Sequence, residues 1–163
     1  MKGIRCAVCS KAKPPEIAKP GRIKTNIGQF NDALLGDICY ETDANGRTHG
    51  WLLVVDEGIG WTVAKYLSGG KTWQELCAHI EEGWIDWAGP PGIFVADSER
   101  GFIAEGLAIR LGKAGTVFTP SAGYAPWQRG QVERKVQSFQ AIIRKIVLHH
   151  GMSGPADMKL AGV

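Results

Sequence analysis

The chain lacks any apolar run near the roughly 20 residues that a membrane-spanning helix needs, so no such helix is expected. Its opening, Met1-Lys2-Gly3-Ile4-Arg5-Cys6, has no signal-peptide core, so an intracellular location is expected. Cysteine is scarce and scattered, at positions 6, 9, 39 and 77, which argues against a disulfide framework in that compartment. Histidine is as scarce, at 49, 79, 149 and 150, and none precedes Cys6. Cys6-Ala7-Val8-Cys9 therefore lacks the further ligands that a closed structural zinc site requires, and no zinc site is expected. Acid is nearly missing from one long stretch. Between Gly106 and Ala156 stand seven basic residues and a single carboxylate, Glu133.

Against those absences, the 163 residues suffice for one domain with a proper core. Charge is unevenly distributed: residues 1–36 carry +5, residues 37–96 carry −6 and residues 97–163 carry +4. A basic field around a lone carboxylate suits a site that handles a polyanion such as DNA. A solvated basic helix with one stray Glu is the alternative.

Residues 1–29 read as a basic linker, with Lys13-Pro14-Pro15 and Lys19-Pro20-Gly21. Three strands follow: one around Ala33 to Tyr40, one from His49 to Asp56, and Trp61 to Leu67. Asn45-Gly46 marks a hairpin between the first two. The period then changes. Thr72-Trp73-Gln74-Glu75 matches a capping box, and Trp73, Leu76, Cys77, Ile80, Trp84 and Trp87 recur at helical spacing. Gly92 to Ala96 reads as a buried strand closed by Asp97. A helix from Arg100 to Leu111, a short strand Thr116 to Phe118 and a loop from Thr119 to Gly130 come next. The last helix presents Val132, Val136, Phe139, Ile143, Ile146 and Val147 as its core stripe and places Glu133 in its first turn. Residues 151–163 read as a disordered tail. Five of the six tryptophans, at 51, 61, 73, 84 and 87, read as core or as a dimer face.

The implied architecture is α/β, a mixed five-stranded sheet with helices on both faces and the core at residues 30–150. Asp37 on the first strand, Asp97 after the fourth and Glu133 on the last helix can converge at one edge of it. Three such carboxylates suit hard divalent cations, and a pair of those ions can activate a nucleophile and stabilise a leaving oxygen.

Residues 30–148 resemble the catalytic core of retroviral-type integrases within the ribonuclease-H-like superfamily, most closely those of long-terminal-repeat retrotransposons. The resemblance rests on the Asp97-to-Glu133 interval, on Trp84-Ile85-Asp86-Trp87-Ala88-Gly89-Pro90-Pro91, and above all on Ala125-Pro126-Trp127-Gln128-Arg129-Gly130-Gln131-Val132-Glu133-Arg134. It implies that Asp37, Asp97 and Glu133 are catalytic and hold two Mg²⁺ or Mn²⁺ ions. It also implies cutting near a DNA end and joining the freed 3′-hydroxyl to target DNA, by a homodimer or higher oligomer acting in the nucleus. Gln128, Arg129, Arg134, Gln137, Gln140 and Arg144 are the candidates for nucleic-acid contact. Relatives often carry lysines where Gln137 and Gln140 stand, and solvation is the other reading of Lys135, Arg144 and Lys145. The family also follows its second aspartate with glycine two residues on, where this chain has Glu99. Cys6 and Cys9 resemble the second half of the family's zinc module. Two alternatives stay open: an inactive integrase-like fragment kept for nucleic-acid or protein binding, and a nuclease acting on RNA–DNA hybrids.

Overall fold

A computed structural model of the chain describes residues 28–97, 102, 104–120 and 126–162. Residues 1–27 of the basic linker, with Cys6 and Cys9, together with Glu99 and the loop 121–125, lie outside the described residues. Strands β1 (Ala33–Thr42), β2 (Thr48–Asp56) and β3 (Thr62–Leu67) form an antiparallel meander. Gly46, with φ of 81°, turns the β1–β2 hairpin in the left-handed region that glycine enters without strain. Helix α1 (Trp73–Ile80) continues through a π-turn, Glu81–Ile85, and a last turn, Asp86–Ala88. Then follow β4 (Ile93–Ala96), α2 (Glu105–Lys113), β5 (Val117–Pro120), α3 (Pro126–His150) and α4 (Gly154–Ala161). The sheet order is β3-β2-β1-β4-β5, with β4 parallel to both β1 and β5. The expected mixed five-stranded sheet is therefore present.

Side-chain alternation along the strands sorts the core into two layers. Leu34 and Ile38 of β1, Leu52 and Val54 of β2 and Phe94 of β4 pack under α1 and α2 with Leu76, Ile80, Trp84, Leu107 and Leu111. Leu35, Cys39, Trp51, Leu53, Val55 and Val95 face the other way, beneath Val132, Ile143 and Val147 of α3. The stripe read from the sequence is thus the buried face of α3. Trp51 and Trp84 are fully buried, whereas Trp61 and Trp87 are 56 % and 54 % exposed and touch edge-on at 6.4 Å.

Thr72 caps α1 by accepting the Glu75 N–H at 3.3 Å. The reciprocal half of the box is diverted: Glu75 Oε1 accepts instead from the Ser68 and Gly69 amides at 2.7 and 2.9 Å. Asn31 ties the sheet to the end of this helix. Its Oδ1 accepts from Trp84 Nε1 at 2.8 Å, and its Nδ2 donates to the carbonyls of Ala88 and Pro90 at 3.1 and 3.2 Å.

Two expectations are corrected. Helix α3 begins at Pro126, so Glu133 stands two turns in rather than in the first turn. Proline suits the first helical position because the N–H it lacks would have no partner there. The tail expected to be disordered forms α4, with Met158 and Ala161 buried against the α3 layer. Gly151, at φ 62°, ends α3 and redirects the chain. Asp43 then accepts the Gly154 N–H at 2.9 Å, fastening α4 to the β1–β2 hairpin.

Candidate active site

The site is built from strand register. Asn31 and Asp32 present their carbonyls to Gly92 N–H and Ile93 N–H at 3.1 and 3.0 Å, which starts β1 and β4 level with one another. Ala33 pairs with Ile93 and, three steps on, Gly36 with Ala96. Asp37, midway along β1, and Asp97, just past the end of β4, each come next on neighbouring parallel strands spaced about 4.8 Å apart. Alternation puts Asp37 on the face of Leu35 and Cys39, and Asp97 on the face of Val95, which is the layer covered by α3. Glu133 follows Val132 on that helix, and Val132 packs with Leu35 and Val95. All three acids thus belong to one side of the sheet.

Asp37 is half-buried, and its Oδ1 accepts the Ile38 N–H at 2.8 Å. Asp97 and Glu133 are exposed. Their donor chemistry, three hard carboxylate oxygens, fits Mg²⁺ or Mn²⁺. Among the described residues, however, no three His, Cys, Asp or Glu side chains are gathered closely enough to share one ion. The fit extends to residue type, register and face, not to a closed coordination shell.

The candidates for nucleic-acid contact divide. Arg134 and Gln137 are exposed on α3, and the side chains of Gln128 and Arg129 lie outside the described residues. Gln140 is turned inward, its Nε2 donating to the Tyr40 carbonyl at 3.0 Å. Arg144, read as a DNA contact or a solvated cation, is ion-paired. Its Nε donates to Glu41 Oε2 at 2.9 Å, and its Nη2 lies 2.6 Å from Oε1, an approach too oblique to count as a second hydrogen bond. Glu41 is 6 % exposed, and its hydrogen bond holds the Arg144 guanidinium still more firmly protonated than usual. Sequence periodicity shows Gln140 and Arg144 sharing a stripe with Glu133; it carries no sign that β1 lies opposite.

Burial, reinforced by the Asp37 and Glu41 charges, pushes the Cys39 thiol up to about 12, and burial and Glu81 push Cys77 to about 11. Both are reserved as inert core groups.

Comparison of the sequence with protein-family models and with curated proteins finds no match. Solved structures do match. A chain of the simian T-cell lymphotropic virus intasome in complex with PP2A regulatory subunit B56 gamma aligns over 96 % of this chain with a TM-score of 0.70 and 18 % identity. This chain spans 55 % of that one's length. The HTLV-2 integrase catalytic core domain in complex with magnesium aligns over 80 % of this chain and 82 % of its own. Its trimeric form gives a TM-score of 0.62 at 16 % identity, its dimeric form 0.63 at 14 %. In strand order and helix placement, the chain has the fold of a retroviral integrase catalytic core.

Proposed function

We propose that the chain is the metal-dependent polynucleotidyl transferase core of a retroelement integrase, cutting DNA ends and joining them to target DNA. One observation supports this: Gly36 pairs with Ala96, so Asp37 and Asp97 follow on adjacent parallel strands, and Val132, the neighbour of Glu133, packs against the same face. Asp37, Asp97 and Glu133 would hold the divalent ions, which supply charge stabilisation for the attacking and leaving oxygens when bound. The acids repel one another without a cation, so ion binding is what draws them together. Arg134 and Gln137, exposed beside Glu133, face the side from which a phosphodiester backbone would approach. The HTLV-2 core is found in dimeric and trimeric forms, and exposed Trp61 and Trp87 offer this chain a surface for the same kind of self-association.

The test is Mn²⁺ calorimetry on wild type and Glu133→Gln, followed by strand-transfer assays with Asp97→Asn. Binding that weakens in the first variant and joining that disappears in the second are the expected results. Wild type that takes up no Mn²⁺ defeats the proposal.

A further inference from the structure

Four residues of α3 lie on one stripe: Glu133, Gln137, Gln140 and Arg144, at offsets of four, seven and eleven that track the 3.6-residue turn. Two of them are fixed to β1, Gln140 to the Tyr40 carbonyl and Arg144 to the Glu41 carboxylate. The other contacts show that helix and strand run the same way. Val132 packs with Leu35, while Ile143 and Val147 pack with Cys39. The two paths back from the Gln140–Tyr40 bond are nearly equal. Seven residues of helix from Gln140 to Glu133 cover about 10.5 Å, and three residues of strand from Tyr40 to Asp37 cover about 10 Å.

From this equality we infer that Gln140 and Arg144 are positioning residues, which fix the height of α3 along β1 so that Glu133 stands abreast of Asp37. The inference rests on the proposed function for its consequence, but its geometry stands alone. Apolar contacts under α3 are non-directional; hydrogen bonds to a carbonyl and a carboxylate are confined to a narrow range of distance and lose strength when the donor is misaligned. The Tyr40 carbonyl is accessible to Gln140 because β4 stops at Ala96, and among the described residues no strand pairs with β1 beyond Gly36 on that side. Gln140 satisfies the open edge. Glu41 makes the lock one-sided in charge, since its buried carboxylate keeps Arg144 in place and would be left uncompensated by a slide.

The test is a bridging experiment on the full chain without metal or DNA. Asp37→Cys and Glu133→Cys are introduced together with Cys6→Ser and Cys9→Ser, and the pair is offered a two-carbon bis(methanethiosulfonate). Cys39 and Cys77 are buried in the core, away from the reagent, and stay unreacted. The pair is expected to bridge. Adding Gln140→Ala and Arg144→Met frees the helix, and a slip of one turn, about 5 Å, takes the pair out of reach. Gln140→Lys, which restores a donor to the Tyr40 carbonyl, should recover bridging. Gln140→Ala alone removes no partner of a buried charge and serves if the double variant unfolds.

In the otherwise unmodified chain, Gln140→Ala should lower kcat for DNA joining about a hundredfold, the scale of a misplacement of about 1 Å, and leave KM for DNA unchanged. A pair that never bridges, or that bridges equally after both substitutions, overturns the inference. So does a raised KM at constant kcat, which would make Gln140 a DNA contact. Wild type inert toward Mn²⁺ would defeat only the proposed function, because bridging reads the helix position directly.

Discussion

Replacing Asn31 by alanine tests the register that sets Asp37 beside Asp97. Three losses combine. Trp84 is fully buried, and its indole N–H would lose its one acceptor, Asn31 Oδ1 at 2.8 Å; an orphaned buried donor costs about 1–3 kcal/mol. The Nδ2 donations to Ala88 and Pro90 go as well, worth about 0.5–1.5 kcal/mol net. Asn31 also sits at φ 69°, where alanine is about 1 kcal/mol worse than asparagine. The sum is about 3–5 kcal/mol, a large share of the 5–15 kcal/mol that stabilises a typical domain. Urea denaturation measures it, with an unchanged slope showing that the unfolded state is unaffected. Asn31→Gly should cost less than Asn31→Ala, since glycine accepts the backbone angle. Asn31→Asp keeps the acceptor for Trp84 but turns a carboxylate oxygen toward the Ala88 and Pro90 carbonyls, so it should not restore full stability. A loss below about 1 kcal/mol for alanine, or glycine proving worse than alanine, would refute this accounting.

Asp43 gives a pH dependence. Donation from the Gly154 amide, followed by those of Arg47 and Asn45 and by His49, holds its carboxyl well below the usual carboxylate range. A depressed folded-state pKa means stability that is fully present above the ordinary value of about 3.9 and lost as pH falls below it. Protection of the Gly154 amide, taken relative to its intrinsic exchange rate at each pH, should therefore fall in acid, and Asp43→Asn should flatten that fall. At Gly106 an added Cβ would lie 2.6 Å from Trp73 Cε2. Gly106→Ala should destabilise by chemical denaturation although alanine favours helix by about 1 kcal/mol, because overpacking costs about 1–3. Trp61→Ser, at an exposed ring, should leave the melting temperature unchanged while shifting sedimentation toward the monomer.

Local chemistry was legible wherever the sequence determines it locally. The period-2 runs of β1 and β2, the Thr72 cap and the α3 stripe all follow from neighbours in the chain. The start of α3 was misplaced because Gly130 reads as a loop residue, although a glycine inside a helix costs only about 1 kcal/mol. Pro126, a favoured first helical residue, was the better signal. Helix α4 was missed for a different reason. Gly151, Ser153, Gly154 and Pro155 suggest a tail, and the groups that order it are distant: the Asp43 carboxylate 111 positions back and the hydrophobic layer over Trp51.

The reading of Gln140 and Arg144 shows where such inference stops. Helical spacing places both on the stripe of Glu133; nucleic-acid contact was the expected role of Gln140, and contact or solvation that of Arg144. Spacing says which residues look in one direction; it does not say what lies there. That depends on β4 being only four residues long, which exposes the edge of β1 to the helix. The short strand therefore does two things at once. It ends at Ala96, so that Asp97 emerges beside Asp37, and it leaves the Tyr40 carbonyl open to Gln140. A longer β4 would pair that edge of β1 and displace the two polar contacts that hold α3. The register of two strands and the height of one helix are thus set from the same break in the sheet.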